Sequence, residues 1–320
     1  MKPKVKRLLA KLYQDSAQFE EAARLYKATA QENPKDPLSA NLMYNSAILY
    51  EALGKNEEAI RSYTEFTKMS KKNSDKVEAL YSMATIHRKA GQTGAAVSRY
   101  MEYVESGGRD QEKVVESAYW VAELSETQRA ITRSKEWKQK VVSIQRRFAP
   151  NKKGPGATYA AKIKLEEARE TFKEMKAISF PRDPKRQKDA VDRKIGLLTK
   201  LSTQLGDIIK FDSAEEIVSA LGILAESNQN MASSIINAPL PAGLNAEETK
   251  QYKEGVAKFA EPFNGKAKDA FKLTVERGWE LEVYNNTYKQ AYEFMNQQDP
   301  KAFYDGGEVS SEIRLVNWIK

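Results

Sequence analysis

The sequence predicts an all-α fold, a right-handed solenoid of helix hairpins, and three observations predict it. The block Phe19–Tyr26 returns as Asn56–Tyr63 and as Thr93–Tyr100, so Ala22, Ala59 and Ala96 recur every 37 residues, with Tyr26, Tyr63 and Tyr100 four behind each. A small residue with an aromatic at i+4 shares one helix face; the first lets a second helix come close and the other fills the space beside it. Gly54 and Gly91 stand just ahead of two of the three blocks, where a hairpin turns through positive φ. Two capping patterns, Ser213-Ala214-Glu215-Glu216 and Asn245-Ala246-Glu247-Glu248, open further helices, and no stretch reads as a strand.

Each block is the second helix of a pair. The first helices carry Leu9-Ala10 with Tyr13, Ser46-Ala47 with Tyr50, and Met83-Ala84 with His87. Pro34 ends the first pair, and the residues that lengthen the period are placed in linkers at Asp36–Ser39 and Asn73–Lys76. A fourth first helix fits at Ser117–Leu124. Its partner, Ser134–Phe148, keeps Trp137 and Val141 on one face but lacks the alanine–aromatic pair. Asn151–Gly156 is a break, because Gly and Pro together stop helices. Helices follow at Ala157–Ile178, at Pro184 to about Ile209 with Asp183 as its cap, and at Ala214–Asn237. The two prolines of Ala238–Leu244 make it a loop. The next helix carries Tyr252, Val256 and Phe259. Pro262 starts or kinks the segment through Trp279, and Tyr284–Met295 is the last helix. A turn is expected at Phe303–Ser311, and a short tail at Ile313–Lys320 whose Ile313, Val316 and Ile319 can pack.

The alanine, the aromatic, the turn glycine and the closing proline together resemble the tetratricopeptide-repeat family over residues 3–110, with a period longer than the ~34 residues usual there. The resemblance implies repeats over 3–150, three clear and the fourth degenerate. It also implies a helical region over 157–320 that continues the solenoid as divergent repeats. A non-enzymatic scaffold for protein–protein interaction follows, with a protein or peptide ligand in a concave groove lined by the first helices of each pair. The groove positions are Arg7, Tyr44, Tyr81 and Tyr119, with Glu51 and Arg88 at the next position round. The pattern from Pro239 to Met295 (Pro-Leu-Pro-Ala-Gly-Leu-Asn-Ala-Glu-Glu, Tyr252, Pro262-Phe263, Lys266-Ala267, Tyr284-Asn285) resembles envelope tetratricopeptide-repeat proteins of delta-proteobacteria associated with gliding motility. That implies a periplasmic or envelope-associated assembly component that meets other envelope-complex subunits. Met1–Ala10 is too short in apolar residues for an export signal and reads as the first helix of repeat one. An export signal, an anchor or further repeats ahead of it are then expected in a longer chain.

Composition narrows the chemistry. With no cysteine and one histidine, the 320 residues hold no thiol nucleophile, disulfide or zinc-finger set, and no cofactor or metal is expected. His87 takes the place of Tyr13 and Tyr50 and reads as a core-facing ring. Glu20-Glu21 and Glu57-Glu58 sit in first turns, where they favour the helix dipole rather than form a catalytic pair. No phosphate-binding glycine loop occurs, and no apolar run is long enough to cross a bilayer. Charge is uneven: residues 129–194 hold 20 Lys/Arg against 8 Asp/Glu, a surplus of +12 in a chain of net +8. Arg146, Arg147, Lys152 and Lys153 form a candidate basic patch for an acidic partner. Aromatics nearby fall at core spacings and acids interrupt the run, so nucleic acid is not the expected ligand. Two other readings stay open: a cytoplasmic adaptor or nucleic-acid-associated regulator, and an envelope enzyme acting on peptidoglycan.

Overall fold

The structure, a computed structural model, describes residues 2–303. The expected turn around Asp305–Gly307 and the tail at 313–320 lie outside the described residues. Every regular element among the described residues is a helix. The chain forms two compact units, one of Met1–Pro150 with Gly154–Tyr159, the other of Asn151–Lys153 with the residues from Ala160 on.

The first unit holds α1 (Pro3–Asp15), α2 (Phe19–Glu32), α3 (Ser39–Ala52), α4 (Asn56–Met69), α5 (Asn73–Lys89), α6 (Thr93–Glu105), α7 (Gln111–Thr127) and α8 (Ile131–Phe148). Each helix packs on the next in sequence, so every hairpin stacks on its neighbour. Ala22, Ala59 and Ala96 have no exposed surface, and Tyr26, Tyr63 and Tyr100 are buried beside them, as close helix approach requires. In α8, Trp137 and Val141 are buried without that pair. The hairpins turn at Ala17, Gly54, Gly91 and Arg129, all at φ between 58° and 71°. Two of the four turns thus hold a left-handed residue without the glycine that relieves it.

A second regularity spans twelve residues. The side chain near the end of each odd helix meets the one twelve positions on: Gln14 with the Tyr26 hydroxyl at 3.0 Å, Glu51 with Tyr63 at 2.7 Å, Arg88 with Tyr100 at 3.2 Å and Glu126 with Lys138 at 2.6 Å. The partners change from neutral to charged while the geometry stays, so hairpin closure rests on position more than on residue type.

The second unit holds most of α9 (Ala157–Lys176), with α10 (Pro184–Ile209), α11 (Ala214–Ile236), α12 (Ala246–Glu280) and α13 (Asn286–Gln298). Helix α11 lies at its centre, packed by α10, α12 and α13, which explains why it is buried on several sides. Caps account for three helix starts. Asp183 accepts from Arg186 N with Pro184 at the first position, Asn245 and Glu248 form a full capping box, and Asn285 accepts from Tyr288 N.

Several expectations change. Ser213 does not cap α11; its hydroxyl donates to the Glu216 carboxylate instead, because both are buried together. Asn73–Lys76 is the first turn of α5 and not a linker. Pro262 does not begin a helix but lies inside α12. A proline there removes one donor, and the carbonyl four back belongs to Lys258, an exposed residue that water can serve. His87 is half-buried, its ring nitrogen 2.5 Å from the Gln92 side chain, rather than in the core.

Candidate partner-binding surface

Helices α5 and α7 of the first unit are linked by their own side chains. Glu78 of α5 accepts from Lys113 Nζ of α7 at 3.1 Å, and the Tyr81 hydroxyl of α5 donates to Glu116 of α7 at 2.6 Å. Both pairs are 35 residues apart, close to one repeat. Trp120 Nε1 donates to Glu116 at 3.0 Å, and the Arg88 guanidinium lies 4.0 Å over the Trp120 ring. Tyr159, in the first turn of α9, packs its ring 5.2 Å from that of Tyr119. Glu116 therefore ties α5, α7 and the start of α9 into one wall.

The sequence-predicted positions fall on this wall but do not hang free. Tyr44 is half-buried against Tyr63 and Phe66, and Tyr81 against Tyr100 and Tyr103. Each ring thus fills the angle between an odd helix and the next. Glu51 is held by Tyr63, and Arg88 by Tyr100 and Trp120. Arg7 pairs with Asp36 at 2.7 Å and departs from the tyrosine row. The open positions are the exposed Asn41, Asn45 and Ile48 of α3, with the upper edges of the tyrosine rings.

Electrostatics explains the rigidity. Burial, then the bonded Glu116 carboxylate, pushes the Tyr81 hydroxyl well above the usual tyrosine range. Burial does the same for Tyr159, with the charges of Glu116 and Glu112 adding to it, and for Tyr63, with its bond to Glu51. These hydroxyls stay protonated and act as donors, so the wall carries fixed hydrogen bonds rather than a base. Among the described residues no group of three or more His, Asp or Glu could hold a metal ion.

The basic patch divides. Lys152 pairs with Asp207 at 3.1 Å and Lys153 with Asp212 at 3.0 Å, all within the second unit. Arg146 and Arg147 are exposed in the first unit, with Arg147 5.2 Å from the Phe148 ring. Reading the sequence for the groove missed Glu78, Lys113, Glu116, Trp120 and Tyr159. Their signal was the 35-residue spacing of opposite charges and of Tyr81 with Glu116, which the alanine–tyrosine period overshadows.

The sequence model of the tetratricopeptide-repeat family matches residues 7–74 and 44–112. Residues 7–112 of the first unit are thus similar to tetratricopeptide repeats. A tetratricopeptide-repeat protein from Parabacteroides merdae is 15% identical, with 90% of this chain and 98% of that one covered and a TM-score of 0.43. The C-terminal part of another from Cytophaga hutchinsonii is 14% identical, with 94% and 99% covered and a TM-score of 0.42. No curated protein matches the sequence.

Proposed function

We propose that this chain is a non-enzymatic scaffold whose odd-helix wall binds a peptide segment of another protein. The observation that carries the reading is the row of tyrosines at Tyr44, Tyr81, Tyr119 and Tyr159, with rings locked from below by Glu116 and by second-helix aromatics. Tyrosines held in place offer apolar area and a hydroxyl at little entropic cost on binding. The flanking carboxylates are already bonded, so the wall selects apolar anchors over charge. We further propose that the scaffold works in a bacterial cell-envelope assembly of the gliding-motility type, periplasmic or attached to the envelope. The pattern in residues 239–295 supports this, and no helix among the described residues is long and apolar enough to cross a membrane.

The test is site-specific photocrosslinking in native cells. A crosslinker at the exposed Asn45 is compared with one at the exposed Arg61, on the second helix of the same hairpin. Adducts from position 45 and not from 61 are expected, with partners from the envelope fraction. Adducts from 61 alone overturn the wall as the site, and purely cytoplasmic partners overturn the envelope placement.

A further inference from the structure

The corner between α12 and α13 carries a run of aromatic rings. Trp279, in the last turn of α12, has its ring centroid 6.1 Å from that of Tyr284; Tyr284 lies 5.2 Å from Tyr288, and Tyr288 6.1 Å from Tyr292. The backbone fixes the corner: Glu282 N donates to Trp279 O at 3.2 Å, and Val283 N to Gly278 O at 2.8 Å. Gly278 is buried under Tyr288, whose ring fills the place a Cβ would take, so the middle of the run rests on the α12 backbone. The near end is open to water. Trp279 is 68% exposed and Tyr284 49%, and no other large apolar side chain among the described residues is as exposed as Trp279. Tryptophan and tyrosine held rigidly at a surface are what protein interfaces concentrate.

Charge identifies the occupant. Lys272 pairs with Glu276 at 3.7 Å and Arg277 with Glu280 at 2.5 Å. Lys289 and Glu293 stand one turn apart on α13 and offset each other. Glu282, exposed at the corner itself, has no ion-pair partner among the described residues. The face of an indole is electron-rich and attracts a cation, as the carboxylate does. An anion is repelled by both, and a purely apolar partner would bury Glu282 unpaired. A guanidinium satisfies both, because it stacks flat on an aromatic ring and donates to a carboxylate through two N–H groups. The chain already uses this stacking within its first unit, where the Arg88 guanidinium lies 4.0 Å over the Trp120 ring. We propose that the α12–α13 corner docks an arginine-bearing segment of a partner protein, the guanidinium lying on Trp279 and pairing with Glu282.

The probes are three labelled peptides in which glycine alternates with arginine, lysine or citrulline, titrated into the full chain by fluorescence anisotropy. The arginine peptide is expected to bind most tightly, then the lysine peptide, then the planar but uncharged citrulline peptide. Trp279→Leu, which keeps apolar area and removes the aromatic face, should weaken the arginine peptide about fivefold, as loss of an exposed cation–π contact does, and Trp279→Phe should weaken it less. Glu282→Gln should weaken it severalfold and flatten its salt dependence. Asn45→Ala, on the tyrosine wall, should leave it unchanged, so this site stands or falls apart from the wall. Equal binding of the arginine and citrulline peptides, no binding, or full binding to Trp279→Leu overturns the proposal. Competition by a peptide of residues 304–320 overturns it too, because the occupant is then a segment of this chain. So does sedimentation in which the chain dimerises and Trp279→Leu abolishes the dimer, because the occupant is then a second copy.

Discussion

Gly222 and Thr287 test the packing of the second unit. Gly222 lies in the middle of α11, buried, and a Cβ built on it falls well inside van der Waals contact with Thr287 Cγ2 of α13. The next atoms are no obstacle: Thr287 Cβ is at 3.6 Å and Thr274 Cγ2 at 4.0 Å. The clash therefore belongs to one methyl group. Gly222→Ala should gain about 1 kcal/mol of helix propensity and lose about 1–3 kcal/mol to overpacking, since a β-branched residue on a helix has few rotamers to escape into. The net loss is up to about 2 kcal/mol. In a Thr287→Ser background the methyl is gone, and the same substitution should stabilise by about 0.5–1 kcal/mol. The sign reverses, with a coupling of about 2 kcal/mol between the sites. Urea denaturation of the four proteins of the cycle, followed by circular dichroism, measures it. Additive effects, or a stabilising Gly222→Ala in the parent, would refute the close contact between α11 and α13.

Three other outcomes are expected. Ala17→Gly and Arg129→Gly should each raise stability by up to about 1 kcal/mol, since both hold left-handed φ and glycine removes more strain there than it adds unfolded-chain entropy; unchanged or lower melting temperatures contradict that geometry. Tyr81→Phe should cost about 1.5 kcal/mol, the low end for a bond to a charged group, because Glu116 keeps its bond from Trp120; thermal denaturation reads it. Glu226, half-buried on α11, has its pKa raised by burial, against the opposing pull of Lys176 and Arg169. Its folded pKa exceeds its unfolded one, so its charged form weakens the fold at neutral pH, and the penalty fades as pH falls through the folded value toward the unfolded one. Glu226→Gln should therefore raise the melting temperature near pH 7 and lose that advantage in acid, and an equal gain at both pH values would contradict the assignment.

The sequence by itself determined the helical class, the hairpin period and most helix starts. Those features depend on interactions within a few residues: an alanine and a tyrosine one turn apart, a glycine at a turn, Asn245 with Glu248. It also brought forward Tyr44 and Tyr81, because they recur at that period. Only the tertiary structure decided what those residues touch. The tyrosines are half-buried between helices, Lys152 and Lys153 are paired with Asp207 and Asp212, and Ser213 bonds to Glu216 instead of capping. The turns at Ala17 and Arg129 carry no glycine to announce them, since the backbone there is set by how the two flanking helices dock. Gly222 looked like any glycine in a helix, and the reason for it, Thr287, lies 65 residues away. Leu12 of α1 and Leu49 of α3 read alike in the chain; one is exposed and the other buried, because burial is a property of the neighbour that covers a side chain and not of the side chain itself.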